Sequence, residues 1–294
     1  MYNFKKCALC NKETKLELSH IVPKMVMRTL KKTAVGNIRS TENPNVPIQD
    51  SEKHYMLCGE CEDLFSEKET YFANHLFHPY LKKEKSKFDY DSRLFYFLTS
   101  VSWRSLYLDL IDFTQNHIVG IDALEHLVVC EKIMRDYLLN FRNEIGTIEN
   151  HIFFFDEIRE ISGSTDMGDL SPHATIHRGI SSYTFCYEKD GTYGTITNMM
   201  GIILITLYKK GEQENWNRTK IINANGTIEA KDQHIISVIG NELNHILKTA
   251  QEASKSMSDK QKQKIINKLK TVGDKIEDYS VFKDWVSDHN INKG

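Results

Sequence analysis

Four cysteines stand in two pairs of the same spacing, Cys7-x-x-Cys10 and Cys58-x-x-Cys61, with 47 residues between the pairs. A tetrahedral zinc ion takes four thiolates, and a two-residue spacer lets one tight turn or helix start deliver two sulfurs together. The plainer reading is that the four thiols are core residues, but two independent pairs at one spacing argue against it. A four-thiolate site is closed, so its zinc would hold the fold and do no chemistry. Removing the metal should then unfold the module, because metal affinity is also folding energy. Cys130 and Cys186 lie alone in apolar stretches and read as core residues. Thiols kept for a metal fit a reducing compartment, so a cytoplasmic location is expected.

The reactive residues lie between and just after the pairs. Ser19-His20-Ile21-Val22-Pro23 follows the first pair, and Leu57-Cys58-Gly59-Glu60-Cys61-Glu62 forms the second. In this order the segment resembles the zinc-containing branch of the HNH (ββα-metal, treble-clef) endonuclease family, over about residues 1–80. The resemblance implies that His20 is a general base activating a water molecule against a phosphodiester. Histidine suits that work because its side chain titrates near neutral pH. A divalent magnesium or manganese ion would stabilise charge on the phosphate. Asn45, or alternatively Asn43, would take the family's asparagine position, orienting the base or joining the metal. Glu62 replaces the family's metal-binding histidine and still offers oxygen to a hard cation. Ser19 stands where the family has an acidic residue or histidine, and it is a poor ligand. Glu69 lies seven residues after Glu62, on the same face of one helix. It would either complete the metal site or be a solvent-facing carboxylate. The resemblance extends to a variant pattern with a Phe and Glu at the positions of Phe65 and Glu69, and what it implies is a setting in anti-phage defence.

Other candidates carry weaker signals. His75 and His78 are spaced to chelate, but Pro79 is expected to end their helix, where histidines commonly serve the helix dipole. His54 precedes the second cysteine pair without a defined role. His173 and His177, with Arg178, could contact phosphate or a partner. No Gly-rich phosphate loop and no Gly-x-Ser-x-Gly elbow is present, which leaves nucleotide hydrolysis and serine hydrolysis without support.

These residues need a scaffold. With 40% hydrophobic and 27% charged residues, the 294-residue chain can build a real core. The net charge is only -2, yet the first 40 residues carry nine Lys or Arg against Glu13 and Glu17. Within that stretch Lys24, Arg28, Lys31 and Lys32 are candidates for phosphate contacts; the bland alternative is a solvated face. No secretory leader is expected from the polar residues that follow Met1, and the most apolar run, Met199 to Leu207, is too short to span a bilayer. Hydrophobic periodicity predicts two helices over about 91–142, the second starting at Ile121 or Asp122. Short β-rich runs follow to about 230, with turn signals at Lys189-Asp190-Gly191 and Asn225-Gly226. Polar helices are expected over about 232–290. The reading is an α+β protein: a zinc-stapled HNH-like module at 1–85, then a mixed helix-strand-helix region at 86–294. The expected function is metal-dependent cleavage of nucleic acid, DNA favoured, with a homo-oligomer or a defence partner served by the remainder. The rival is a non-catalytic zinc-stabilised binding module in which the basic stretch positions phosphates.

Overall fold

The computed structural model describes residues 5–161 and 170–291. The N-terminal part contains β1 (Lys5–Lys6), β2 (Glu13–Thr14), β3 (Leu16–His20), α1 (Lys24–Thr33), β4 (Lys53–Cys58) and α2 (Gly59–Phe72). β1 and β2 pair antiparallel across the Cys7–Cys10 turn, and β3 and β4 pair antiparallel from Leu16↔Cys58 to His20↔Lys53. α2 starts directly from β4, with Cys58 as an extended N-cap and Glu60 and Glu62 in its first turn, where carboxylates favour the helix dipole. α2 runs into a π turn at Ala73–Phe77 and then α3 (His78–Leu81). Pro79 therefore does not end the helix as expected: it sits in the first turn of α3, where a missing N–H costs nothing. The chain turns away at Lys83, whose φ is 57°.

β5 (Lys87–Tyr90) leads to α4 (Ser92–Asn116), started by Asp91, whose side chain accepts from the Arg93 N–H. α5 (Ile121–Leu138) begins at Ile121 after Gly120, so both expected helices form. Every residue of α4 from Leu94 to Leu106 is buried, which makes α4 the central helix. The strands follow as β6 (Glu149–Phe154), a 3₁₀ turn at Phe155–Glu157, β7 (Ile158–Ile161), and, after α6 (Pro172–His177), β8 (Ile180–Tyr187), β9 (Thr192–Met199) and β10 (Ile202–Lys209). Then come β11 (Asn215–Asn217), β12 (Lys220–Ile221), β13 (Gly226–Glu229) and β14 (Gln233–Ile236). The largest sheet is antiparallel in the order β12-β6-β10-β9-β8. Its alternation is two-sided: Ile202 and Leu204 join the core that contains α4, while Ile203, Ile205 and Leu207 face a second core with Leu243 and Leu247. The latter two belong to α7 (Ile239–Ser256), which precedes α8 (Asp259–Val272) and α9 (Ser280–Ile291).

Two expectations from the sequence are corrected. Asn225-Gly226 does not close a hairpin between neighbours, because β13 pairs with the distant β5 while β12 pairs with β6. Residues 233–236 are strand rather than helix: β14 pairs antiparallel with β11 and parallel with β7. Its alternating burial of Gln233 and Ile235 is the period-two signal that a helical reading passed over.

The N-terminal elements share one core with the rest. The buried cluster runs from Cys7, Leu9 and Phe65 through Phe97 and Trp103 to Leu204 and Ile228. Phe72 stacks on Phe97 at 4.2 Å between ring centres, and Phe65 meets Trp103 edge-on at 6.2 Å. A polar seam sets how α4 lies on the sheet. Thr206 Oγ1 is 2.7 Å from Ser102 Oγ and 2.6 Å from Asn150 Oδ1, and Asn150 Nδ2 donates to Thr99 Oγ1 at 2.9 Å. Such groups are costly when buried unless satisfied, so the seam permits few alternative registers.

Candidate functional site

The sulfurs of Cys7, Cys10, Cys58 and Cys61 lie within 4.8 Å of one another, close enough to share a metal ion. Among the described residues this is the one set of three or more His, Cys, Asp or Glu ligand atoms gathered so tightly. Local geometry explains the gathering. Asn11 adopts a left-handed φ of 60° and its N–H returns to the Cys7 oxygen at 2.9 Å, closing the first turn. The Cys58 N–H donates to Cys7 Sγ at 3.3 Å, and the Ala8 N–H to the Met56 oxygen at 2.9 Å, which stitches that turn to β4. Cys61 then enters from the first turn of α2. A hydrogen bond from Cys61 first of all draws the Cys7 thiol down to about 4, and the same pairing pushes Cys61 up. Four soft sulfur donors at this spacing fit zinc.

The β3–β4 hairpin explains Ser19. The register slips between Glu17 and Leu18, leaving Met56 as the extra residue of a bulge. Ser19 is fully buried beside it, and its Oγ accepts from the Leu57 N–H at 3.2 Å. The position that the resemblance assigns to a ligand thus satisfies a bulged strand.

His20 ends β3, with its side chain mostly covered. Its Nε2 lies 3.1 Å from Asp50 Oδ2, and Lys53, the cross-strand partner of His20, reaches the same oxygen at 2.9 Å. Burial works to raise the Asp50 carboxyl, but hydrogen bonds from Lys53 and His20 hold it well below the usual carboxylate range. An ionised carboxylate only accepts, so His20 Nε2 carries the hydrogen and Nδ1 of a neutral ring holds the lone pair.

Glu62 lies in the first turn of α2, and its Oε1 is buried without a protein partner. Glu69, seven residues on, is partly exposed and paired through one oxygen: Arg104 Nη1 from α4 donates to its Oε1 at 2.9 Å. The same nitrogen donates to the main-chain oxygen of His20 at 2.8 Å. Arg104 is 2% exposed, lies over the Phe65 ring at 5.3 Å, and keeps Nη2 buried without a partner. Asp50 and Arg104 are the residues that sequence reasoning missed. Asp50 had a signal, as the acid just ahead of the strand opposite His20; Arg104 had none, being 84 residues away inside an apolar helix.

Asn45 lies elsewhere than expected. Its Oδ1 accepts from the N–H of Ser258, the residue just before α8, at 2.9 Å, and Arg39 nearby reaches Gln261 of α8 at 3.1 Å. The main-chain N–H of Asn43 donates to Ser40 Oγ at 3.2 Å. Lys24, Arg28, Lys31 and Lys32 are exposed along one face of α1, at i, i+4, i+7 and i+8. Lys31 meets the Gln49 oxygen, and among the described residues none of the four forms an ion pair. Arg178 closes the other end of α1, donating to Thr33 Oγ1 at 2.8 Å and to the Leu30 oxygen at 3.3 Å. His75 stacks on Tyr71 and its Nδ1 meets the Tyr71 oxygen at 3.0 Å, while His54 pairs with Glu52 at the surface. Burial, then Lys82 and Lys32, hold His78 below its ordinary value.

No helix among the described residues is long and apolar enough to cross a membrane. No family model, curated protein or solved structure matches the chain.

Proposed function

We propose that this chain is a metal-dependent, HNH-like endonuclease whose four cysteines hold a structural zinc ion. The observation that supports it best is the buried, unpartnered Glu62 Oε1, in the helix that follows directly from the hairpin carrying His20. A buried carboxylate oxygen with no donor is costly, and a hard cation would satisfy it. Glu62 is accordingly the residue that would hold magnesium or manganese, and such an ion supplies charge stabilisation to a phosphodiester under attack.

In this reading His20 takes a proton from water at Nδ1, while Asp50 holds the ring through Nε2 and stabilises the imidazolium that forms. Arg104 fixes the backbone of His20. The exposed face of Lys24, Arg28, Lys31 and Lys32 meets phosphates without reading bases. DNA is preferred to RNA on the resemblance alone, as are a setting in phage defence and a homo-oligomer or partner protein for the large remainder. Asn45, engaged with α8, has no catalytic part here; Asp50 takes over the orienting role.

A second reading is a non-catalytic binder, favoured by the engagement of Ser19 with Leu57 and of Glu69 with Arg104, which leaves few free ligands. Plasmid nicking in magnesium or manganese by the wild-type chain, beside His20→Ala and Glu62→Ala, separates the two. Nicking by the wild type alone supports the nuclease; equal inactivity of all three removes it. A gel shift whose salt slope falls by about 0.9 per lysine or arginine removed from α1 would then establish the binder.

A further inference from the structure

α5 buries one side and shows the other to solvent. Ala123, Leu127, Cys130, Met134, Tyr137 and Leu138 are buried, and Trp103 of α4 donates to Glu131 at 2.8 Å, so that side is committed to the core. The opposite side carries Ile121, Glu125, Val128, Val129 and Lys132, all exposed. With 3.6 residues per turn, these five fall within an arc of about 100° on the helix surface.

Apolar side chains have no local reason to stand there. Ile121 is 75% exposed, Val128 50% and Val129 56%. None of the three is among the side chains packed in or against the main core. β-branched residues are also poorer helix formers than alanine, lysine or glutamate, so propensity does not account for them on a wet face. A single exposed valine needs no explanation, but three such residues on one stripe of one helix make a docking surface.

The charges on the stripe select what docks. Glu125 and Lys132 lie seven residues apart on it, with the two valines midway between them. Turned end for end, the stripe matches itself. A two-fold axis passing between Val128 and Val129 sets Glu125 of each copy opposite Lys132 of the other, because the two positions are equally far from that axis. The valines of both copies then gather around the axis. In a parallel pair in register each charge would instead meet its like. Among the described residues neither Glu125 nor Lys132 forms an ion pair within its own chain, so both are free for this contact. A two-fold dimer needs a patch complementary to itself, and this stripe is one. The antiparallel arrangement also opposes the two helix dipoles.

We infer that α5 is the contact helix of an antiparallel, two-fold dimer of this chain, with Val128 and Val129 at the axis and Glu125 paired with Lys132 of the partner subunit. The 18 residues of α5 span about 27 Å. One helix pair of that length buries less than the roughly 1,600 Å² of a standard stable interface, so the dimer should form reversibly in the micromolar range. The contact uses none of the residues assigned to zinc or to cleavage, and it stands whether or not the chain cleaves nucleic acid.

Sedimentation equilibrium of the full chain from about 1 to about 300 μM tests this. The wild type should pass from monomer to dimer across that range. Glu125→Lys sets lysine against lysine on both sides of the axis, and Lys132→Glu sets glutamate against glutamate. Each single variant should therefore associate more weakly by roughly tenfold or more. Glu125→Lys/Lys132→Glu in one chain restores unlike charges and should dimerise as the wild type does. Mixing the two single variants should produce a heterodimer, since both of its ion pairs then join unlike charges. Both positions are exposed, and a heterodimer that forms on mixing shows that both variants are folded. A wild type that stays monomeric throughout, a dimer that both single variants keep, or single variants that fail to combine would overturn the contact and leave the stripe a solvated face.

Discussion

The Arg104 guanidinium donates to the main-chain oxygen of His20 across 84 residues of sequence, through the nitrogen that also meets Glu69. One side chain of the central helix therefore fixes both the strand that ends in the candidate base and the helix that carries Glu62. Arg104 has almost no exposure while the Glu69 side chain keeps 23%, so a buried guanidinium depends on a carboxylate at the edge of the core. Arg104→Met should destabilise the chain by about 1–3 kcal/mol, because it removes the donor to the His20 oxygen and to the partly exposed Glu69 carboxylate. Arg104→Met/Glu69→Leu should recover most of that loss. Chemical denaturation of the three proteins reads the difference; equal stability of the single and double variants would show that the pair is not coupled.

Asp50 tests the chemistry apart from the fold. Asp50→Asn keeps the shape and removes the charge that sets the His20 tautomer. Cleavage should fall by about 10²–10⁴, the range a positioned general base supplies, with melting temperature little changed. Nicking at the wild-type rate would remove Asp50 from the mechanism.

The cysteine cluster is continuous with the main core, so its loss should reach beyond the N-terminal strands. Chelation by a strong zinc ligand, or Cys61→Ser, should lower the melting temperature by many degrees and expose the Phe65–Trp103 contact. Tryptophan fluorescence and calorimetry report both effects. An unchanged transition after complete metal removal would mean that the thiols serve only as core residues.

Asp109 gives the chain a pH dependence of its own. Burial pushes its carboxyl up to about 6, against the opposing hydrogen bond from the Thr184 N–H at 2.7 Å. Because the folded value is raised, its favourable contribution is complete below the ordinary value of 3.8 and is lost as pH rises through about 6. Asp109→Asn should therefore be more stable than the wild type at neutral pH by on the order of 2 kcal/mol, with the gap closing near pH 4. Parallel thermal melts from pH 4 to 8 check this; a constant gap would assign the effect to packing.

Much of the frame was legible in local pattern. The spacing of Cys7, Cys10, Cys58 and Cys61 announced a shared ligand set because two-residue spacers leave few other geometries. The apolar periodicity of 91–142 announced α4 and α5, and the short β-rich runs at 182–187, 192–197 and 202–208 announced three strands, because residue type and spacing act within a single element. Pairing between distant elements was not legible. β13 pairs with β5, and β14 lies between β7 and β11, because long-range hydrogen bonds carry no local signature.

The candidate site divides in the same way. Sequence alone singled out His20 and Glu62 through the order of residues around the cysteines. Only the tertiary structure decided that Asp50 holds His20, that Ser19 meets the N–H of Leu57 beside a bulge, that Asn45 meets Ser258 at the start of α8 and that Glu69 pairs with Arg104. Each of these outcomes is a hydrogen bond between groups whose meeting depends on how whole elements pack. The same holds for His173 and His177: their spacing was visible in the chain, but Asp156, Asp284 and Asp288, which surround them, come from two other segments. Residue type sets what a side chain can do, and the packing of distant elements sets which partner it does it with.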